Sequence, residues 1–515
     1  MNAIHSRDAG SGEVSALRRC APWLAGLAIC GALCGPARAG IVAQWVQFGP
    51  GEGGAASILV RAVIDDAPAG CPVLRVDSTA ALPMRARFDA ARLGGFVTAT
   101  TPGRLADTEG GARATIGWTE CEAVVPAGHR SAMIDGAAAP LRLPVAQPRR
   151  ILVIGDTGCR MARDDYQDCH DSAAFPLRAL AGLEAGFAPD LIIHVGDYFY
   201  RDVDCLTAGG DARTGCPSAA STSWGDRWDS WNLDFFYPAG RLLAAAPWVM
   251  VRGNHESCGR GARGWFALLD PRPFDPAMVA CRPGEPAGYG GDFTPSYAVP
   301  AGALTLLVLD SSRANDRAVD PAMAAAYSAD LSALIASLPA GAHAAIVTHK
   351  PAYGLLAGHV DPASGAIDGG TLTLQSVYAG RGGDGGVFRD GMPPAVSLLL
   401  SGHIHQFEYV DFADRTRFAP QLIVGVSGDR LDRTANPDRH DPVYASPADV
   451  SFDLHPAAGE TARTVATHAY ARAQFGFALL DRAPAGYVVS AYDVTGTIVG
   501  RCTLSLAPRD IACWR

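Results

Sequence analysis

Five predicted strands of this chain each run into a short motif that carries metal-ligand residue types. The motifs are IGDTG at 154–158, VGDYFY at 195–200, RGNHES at 252–257, VTHK at 347–350 and SGHIH at 401–405. Each motif alone has an ordinary explanation, because an aspartate after a strand often caps a helix and a lone histidine is usually structural. Five such strand ends in one chain are a strong constraint, because one fold has to accommodate all of them.

The region that contains these motifs alternates strands with helices. Its apolar strand-like runs are separated by helical stretches near 173–185, 224–245 and 321–338. This alternation predicts a layered α/β domain. The loops at the carboxyl ends of strands in such a sheet converge on one crevice, so residues distant in sequence meet around one ligand.

The residue types predict that this ligand is metal. Two ions about 3.5–4 Å apart need a bridging carboxylate, several imidazoles and a hard oxygen donor. The motifs supply each type, and the candidates are Asp156, Asp197, Asn254, His349, His403 and His405.

The order of the motifs resembles that of the calcineurin-like metallophosphoesterases, over about residues 150–430. Most members of that superfamily have a metal-binding histidine two residues after the first aspartate, where this chain has Gly158. Tyr200, three residues after Asp197, is placed to replace that imidazole, although an aromatic after a strand is by itself usually a packing residue. The GDxxY pattern, together with GNHE and GHxH, is similar to the purple acid phosphatase branch, in which a tyrosinate binds ferric iron.

The resemblance implies an αββα-type catalytic domain with a ferric site and a divalent site that share Asp197. The ferric ion would bind Asp156, Asp197, Tyr200 and His405, and the divalent ion would bind Asp197, Asn254, His349 and His403. Iron, zinc and manganese all suit the nitrogen and oxygen donors of the divalent site. The family uses the position of His255 for proton transfer. Glu256 is expected either to orient His255 or to be a solvated carboxylate.

The predicted function is a secreted binuclear phosphatase that hydrolyses phosphate monoesters. A metal-activated hydroxide would attack phosphorus, and His255 would protonate the departing alkoxide. A phosphodiesterase or nucleotide pyrophosphatase on the same metal core is the first alternative, because pocket walls rather than metal ligands select the ester. A catalytically silent surface binding protein is the second. The sequence has neither a P-loop nor a GxSxG motif, which argues against an NTPase or a serine hydrolase.

The chain before residue 148 is predicted to contain two further segments. Residues 1–39 read as a signal peptide, because Arg18 and Arg19 precede an apolar run that ends shortly before Ala37-Arg38-Ala39. Residues 40–147 carry short apolar runs broken by glycine, proline and aspartate, which predicts a small, all-β, sandwich-like domain. Residues 148–515 would form the catalytic domain. No later segment indicates stable membrane insertion.

Charge and cysteines indicate the partners and the compartment. Removing the four arginines and two acids of residues 1–39 changes the formal charge from −9 to −11. This negative charge argues against nucleic acid as a partner, and the predicted partner is a small phosphate ester. Ten cysteines remain, and an even number predicts disulfides in a bacterial periplasmic or secreted protein. Sequence neighbours would pair as Cys71–Cys121, Cys159–Cys169, Cys205–Cys216, Cys258–Cys281 and Cys502–Cys513. Zinc binding by these cysteines is the alternative, but CxxC spacing is absent. The oligomeric state is left open.

Overall fold

The fold is described from a computed structural model of the chain. The described residues are 40–51, 56–64, 70–78, 80–88, 118–162, 165–202, 223–275, 292–356, 369–380, 386–432, 448–454 and 463–514. The predicted signal peptide lies outside these ranges.

Strands dominate the described chain. Their bounds are β1 (Ile41–Pro50), β2 (Ala56–Ile64), β3 (Val73–Val76), β4 (Ala80–Pro83), β5 (Arg85–Ala86), β6 (Thr119–Val125), β7 (Ser131–Ile134), β8 (Leu141–Arg142), β9 (Arg150–Ile154), β10 (Met161–Ala162), β11 (Asp165–Tyr166), β12 (Leu191–His194), β13 (Trp248–Met250), β14 (Tyr297–Ala301), β15 (Leu304–Val308), β16 (His343–Val347), β17 (Val396–Ser401), β18 (Phe407–Phe412), β19 (Gln421–Val424), β20 (Ala448–Leu454), β21 (Arg463–Arg472), β22 (Gly476–Ala483), β23 (Gly486–Asp493), β24 (Ile498–Leu506) and β25 (Arg509–Trp514).

The helices are fewer and mostly short. Their bounds are α1 (Leu177–Gly186), α2 (Trp228–Trp231), α3 (Gly240–Leu243), α4 (Ala262–Gly264), α5 (Pro321–Ala336) and α6 (Leu372–Tyr378), with π-helical turns at Asn232–Phe236 and Trp265–Leu269 and a 3₁₀ turn at Gly386–Phe388. Helices α1 and α5 match two of the predicted helical stretches. The third, predicted over 224–245, is instead divided into α2, a π-helical turn that directly continues α2, and α3. The break before α3 contains Pro238, which has no backbone N–H to continue a helix.

Two large sheets contain most of the strands. The first has eleven strands in the order β25-β24-β23-β22-β9-β12-β13-β1-β2-β6-β5, and the second has eight in the order β14-β15-β16-β17-β19-β18-β21-β20. Strands β9, β12 and β13 are parallel in the first sheet. Strands β15, β16, β17 and β19 are parallel in the second. A four-stranded sheet, β4-β3-β7-β8, and the β10-β11 ribbon are smaller.

The side chains of β9 and β16 alternate between two faces and so define the layers. Val153 of β9 and Val347 of β16 belong to one apolar core that the two large sheets share. On the outer faces, Leu152 packs in a cluster that includes residues of α1, and Ile346 packs in a cluster that includes residues of α5. Helix, sheet, sheet and helix therefore follow one another, which confirms the predicted αββα arrangement.

The region before residue 148 is strand-rich, as predicted. Its β3, β4, β7 and β8 form the small four-stranded sheet. Its β1, β2, β5 and β6 continue the first large sheet, because β1 pairs in parallel with β13 and places Gln47 opposite Trp248. The predicted boundary at residue 147 therefore marks a change in sequence pattern, and hydrogen bonding continues across it.

Three of the predicted disulfides are confirmed: Cys71–Cys121, Cys159–Cys169 and Cys502–Cys513. Cys258 is also disulfide-bonded. Its predicted partner Cys281 and the predicted pair Cys205–Cys216 lie outside the described residues. Among the helices described above, none is both long enough and apolar enough to cross a membrane.

Candidate metal centre

The five motifs follow the carboxyl ends of β9, β12, β13, β16 and β17. Two of the motif aspartates and one histidine turn away from their strands in the left-handed region: φ is 56° at Asp156, 58° at Asp197 and 69° at His403. Residues other than glycine adopt this region rarely, and such strain concentrates at functional sites. The backbone of these loops is thus bent so that three candidate ligands face the centre.

The phenol oxygen of Tyr200 contacts a donor atom of each of the three other candidate ligands of the predicted ferric site. This oxygen lies 2.8 Å from Asp197 Oδ2, 3.1 Å from Asp156 Oδ1 and 3.0 Å from His405 Nε2. The side chain is fully buried. The Tyr200 oxygen therefore contacts the other three candidate ligands of the predicted ferric site.

Asp197 also contacts the second group of donor atoms. The same Oδ2 oxygen lies 3.2 Å from His349 Nε2, which is 2.9 Å from Asn254 Oδ1. The ligand atoms of Asp197, His349 and His403 lie within 4.8 Å of one another. The four candidates for the divalent site are thus gathered around the carboxylate that was predicted to bridge.

Two imidazoles are held by backbone carbonyls on the far side of the ring. His349 Nδ1 is 2.9 Å from the Val195 carbonyl oxygen, and His405 Nδ1 is 2.7 Å from that of Arg430. A donated Nδ1–H fixes the tautomer and leaves the Nε2 lone pair facing the centre, as metal-binding histidines require.

The carboxylates of the centre create an environment that favours positive charge. Burial lowers the pKa of His349, but the carboxylates of Asp197 and Asp156 outweigh it and raise that pKa to about 9. The pKa of Tyr200 lies well above its usual value because of burial and the same two carboxylates. A cation in this position would displace these protons, because metal binding requires neutral imidazole and ionised oxygen ligands.

The spacing of the donors also fits metal. Ligands bonded at about 2.0–2.2 Å and separated by right angles lie about 3 Å apart. The contacts of Tyr200 Oη, at 2.8–3.1 Å, have this length. Oxygen and nitrogen donors buried at such distances therefore fit a metal centre.

Gly158 explains why a tyrosine and the usual superfamily histidine do not occur together here. A Cβ atom at this position would lie 2.7 Å from Tyr200 Cδ2 and 2.9 Å from the Tyr198 carbonyl oxygen. Real Cβ atoms do not approach so closely. The Tyr200 ring thus occupies space that a side chain at 158 would need.

Glu256 is buried, so it is not the solvated carboxylate that was one of its two expected roles. Its buried carboxylate accepts hydrogen bonds from the backbone N–H groups of Asp197, Tyr198, Phe199 and Gly253, at 2.8–3.2 Å. It therefore stabilises the turn that presents Asp197, and it is not solvated. Sequence gives no sign of this role, because backbone N–H groups carry no residue signature.

His255 lies beside the centre. Its backbone N–H donates to Asp197 Oδ1 at 2.8 Å, and its ring packs on Tyr200 with 3.9 Å between ring centroids. Its Nδ1 is 3.8 Å from Asp202 Oδ2. Burial lowers the pKa of His255 well below its usual value, while the charge of Asp197 acts in the opposite direction.

Two carboxylates near the centre were not anticipated from the sequence. Asp316 Oδ2 is 3.6 Å from His403 Nε2 and 2.9 Å from Nζ of Lys350, the only lysine in the chain. Asp429 Oδ2 is 3.4 Å from His405 Nδ1. Both aspartates lie outside the five motifs, so no spacing rule could have selected them.

Comparison with known proteins gives one family match. The sequence profile of the calcineurin-like phosphoesterase family matches residues 149–407, just over half of the chain. A search of curated protein sequences finds no match. Among solved structures, a purple acid phosphatase from yellow lupin (Lupinus luteus) seeds is 12% identical, with 88% of this chain and 72% of that chain covered and a TM-score of 0.48. PhoD is 10% identical, with 87% of this chain and 91% of that chain covered and a TM-score of 0.40.

Proposed function

The chain belongs to the calcineurin-like phosphoesterase family, and from this premise we propose that it is a secreted two-metal phosphatase that hydrolyses phosphate monoesters. The observation that carries the proposal is the position of Tyr200, whose oxygen contacts Asp156, Asp197 and His405 at once. GDxxY is the pattern of the purple acid phosphatase branch, so this contact supports the monoester assignment.

The proposed ligand sets are those that the motifs predict. Fe(III) would be held by Asp156, Asp197, Tyr200 and His405, and a divalent iron, zinc or manganese ion by Asp197, Asn254, His349 and His403. When bound, the two ions would supply the activated water nucleophile and neutralise charge on the phosphoryl oxygens. The tyrosine, whose phenolate would be the most basic oxygen donor of the set, supports the ferric assignment.

Two residues outside the ligand sets, Glu256 and His255, would support the reaction. Glu256 holds the Asp197 turn through four backbone N–H groups, so the bridging carboxylate stays in place. His255 would hold a proton at Nε2 and deliver it to the leaving oxygen as the ester bond breaks. Its place against the Tyr200 ring supports this role, because it lies next to the donors without joining them.

Secretion is supported by the disulfides. Cys71–Cys121, Cys159–Cys169 and Cys502–Cys513 require an oxidising compartment to form and persist. The signal-peptide pattern of residues 1–39 is consistent with export to the periplasm or beyond.

The test compares p-nitrophenyl phosphate with bis(p-nitrophenyl) phosphate on the purified, metal-loaded protein. We expect faster release from the monoester, and a visible absorption band that disappears in Tyr200→Phe. Faster release from the diester would favour the phosphodiesterase alternative. Release from neither would indicate a silent binding protein. A colourless, active protein with two zinc ions per chain would refute the ferric assignment.

A further inference from the structure

Five consecutive backbone carbonyls face the strands that precede residue 148. They lie at the end of the third-motif segment (residues 248–270), which contains β13, the third motif, α4 and the π-helical turn that follows α4. The end of a helix leaves its last carbonyls without helical donors, so other groups have to supply the N–H donors. Here each carbonyl oxygen of residues 266–270 accepts a hydrogen bond from a side chain of the N-terminal strand region.

Two arginines and one glutamine supply these donors. Arg87 donates to three of the carbonyls at 2.7–3.2 Å, Arg61 to two at 2.8 and 2.9 Å, and Gln47 to one at 3.0 Å. Gln47 and Arg61 are fully buried, and the side chain of Arg87 is 1% exposed. A positive charge is favourable at this end of a helix because the helix dipole is negative there. We call these three side chains the carbonyl clamp.

The charge of the carbonyl clamp is balanced on β6. Glu122 Oε2 lies 2.6 Å from a guanidinium nitrogen of Arg61 and 3.1 Å from one of Arg87. Glu120 lies 3.6 Å from the Arg61 guanidinium and 3.9 Å from that of Arg87. Buried ions are tolerated when they are paired and hydrogen-bonded, so the two arginines are held in place on the N-terminal side as well.

The same strands also hold the beginning of the third-motif segment. Strand β1 pairs in parallel with β13 and places Gln47 opposite Trp248. Gln47 is therefore at the start of the segment through its backbone and at the end of the segment through its side chain. Asn254 and His255 lie between these two points. The N-terminal strands thus fix both ends of the chain that carries the third motif.

The third-motif segment provides one of the candidate metal ligands, Asn254. Its Oδ1 oxygen lies 2.9 Å from His349 Nε2, within the set proposed for the divalent ion. The four candidates of the ferric set come from the loops after β9, β12 and β17 and lie outside the segment. A disturbance of the segment therefore acts on one metal site more than on the other.

We propose that the carbonyl clamp is a positioning device for Asn254, so that the N-terminal strands form part of the framework of the divalent site. With both ends of the segment fixed, its loop can adopt few positions, and the Asn254 amide oxygen stays beside His349. Groups that orient a metal ligand from behind contribute to metal affinity as well as to stability. This inference rests on the proposed function, because it uses the ligand sets assigned there.

The two metal sites distinguish positioning from general stabilisation. If the clamp positions Asn254, weakening it should lower the affinity of the divalent site and leave the visible band of Tyr200 on ferric iron unchanged. A residue that only stabilises the fold would affect both sites alike or neither, because both ligand sets depend on the same two sheets.

The experiment titrates the ferric-loaded protein with zinc in competition with a chromogenic chelator, and records the visible spectrum and Tm of each variant. Arg87→Met keeps an apolar stem and removes the donors to three carbonyls. Zinc binding should weaken by about tenfold or more, with the wavelength and intensity of the visible band unchanged. Hydrolysis of p-nitrophenyl phosphate by this variant should recover when zinc is added in excess.

A conservative variant and two controls accompany it. Arg87→Lys keeps the charge but replaces the planar fork with a single nitrogen, so its zinc affinity should lie between those of the unmutated protein and Arg87→Met. Arg75→Met removes an exposed arginine of the same region, paired with Asp135, and should change neither metal site. Ile134→Ala removes a fully buried side chain from the small sheet, so it should lower Tm and leave zinc affinity unchanged.

Three results would overturn the role of the carbonyl clamp. They are an unchanged zinc affinity in Arg87→Met, a loss of zinc and of the visible band together, or an equal loss of zinc affinity in Ile134→Ala. If Arg87→Met does not fold, Arg87→Lys decides the matter, because zinc affinity equal to that of the unmutated protein would contradict the proposal. An unmutated protein that shows no visible band, or takes up no zinc beside iron, would instead contradict the ligand sets of the proposed function. That outcome is seen before any variant is compared.

Discussion

Replacing Gly158 with alanine should displace the Tyr200 ring. The added Cβ would lie 2.7 Å from Tyr200 Cδ2, 2.9 Å from the Tyr198 carbonyl oxygen and 3.0 Å from Asp234 Oδ2. Gly158 is not among the glycines with positive φ, so the cost is steric rather than conformational. All three neighbours belong to buried side chains or to backbone, and none is the far end of a flexible surface side chain.

The expected cost follows from overpacking. One extra methyl in a closely packed core costs about 1–3 kcal/mol. For a domain of this size we expect Tm to fall by on the order of a few °C. Movement of the ring also moves the phenol oxygen away from Asp156 and His405, so the visible band should weaken or shift in wavelength.

Double variants distinguish a clash with the Tyr200 ring from an effect of the Tyr200 oxygen. Tyr200→Phe keeps Cδ2, so Gly158→Ala should cost as much in that background as in the unmutated protein. Tyr200→Ala removes the ring, so the added cost should fall. The control is Gly259→Ala, because, its two chain neighbours aside, no atom of the described residues lies within 4 Å of its Cβ position. The steric explanation would be refuted if Gly158→Ala cost the same in the Tyr200→Ala background, or if Gly259→Ala lowered Tm as much.

Three further predictions concern the surroundings of the centre. Glu256→Leu should lower metal content and Tm far more than Glu256→Gln, because each buried N–H left without an acceptor costs about 1–3 kcal/mol; full metal content in the leucine variant would contradict this. Burial raises the pKa of Glu184 in α1 to about 8. Its contribution to the free energy of unfolding is therefore greatest below about pH 4.5 and is lost as the pH rises to about 8. The total change in that free energy is on the order of 5 kcal/mol. Tm against pH should therefore be flatter in Glu184→Gln, and an unchanged slope would show that Glu184 ionises normally. Replacing both Cys159 and Cys169 with alanine should cost about 3 kcal/mol by releasing a short loop next to the first motif, and should speed metal loss to a chelator; loss at the original rate would mean the loop is held by other contacts.

The candidate ligands could be predicted because residues with metal-binding side chains directly follow the predicted strands. Asp156, Asp197 and His349 each follow a run of apolar strand residues, and parallel strands bring such ends to one edge. The side chains alone therefore indicated both the sheet and the site. The alternation of strands and helices predicted a layered α/β domain, and the αββα arrangement followed from the family resemblance.

Other features depend on contacts that leave no local pattern. Glu256 binds backbone N–H groups, and Arg87 becomes relevant only because the fold places it against the carbonyls at the end of the third-motif segment. The pairing of β1 with β13 joins residues separated by about 200 positions, as Gln47 and Trp248 illustrate, and no periodicity within either strand specifies the partner. Sequence reasoning therefore selected candidate ligands that the fold brings together, but it could not identify the residues that hold them in place.

The strand order of the first sheet also bears on how the chain is made. Strand β9 has β12 on one side and β22 on the other, and Ile151 pairs with Leu480. During synthesis, one edge of β9 therefore has no native partner until β22 has been produced, more than 300 residues later. Contacts of such long sequence separation form slowly, and an open strand edge invites pairing with other chains. We expect chains that end before β22 to aggregate, and the nascent protein to depend on being kept unfolded or shielded until β22 is available.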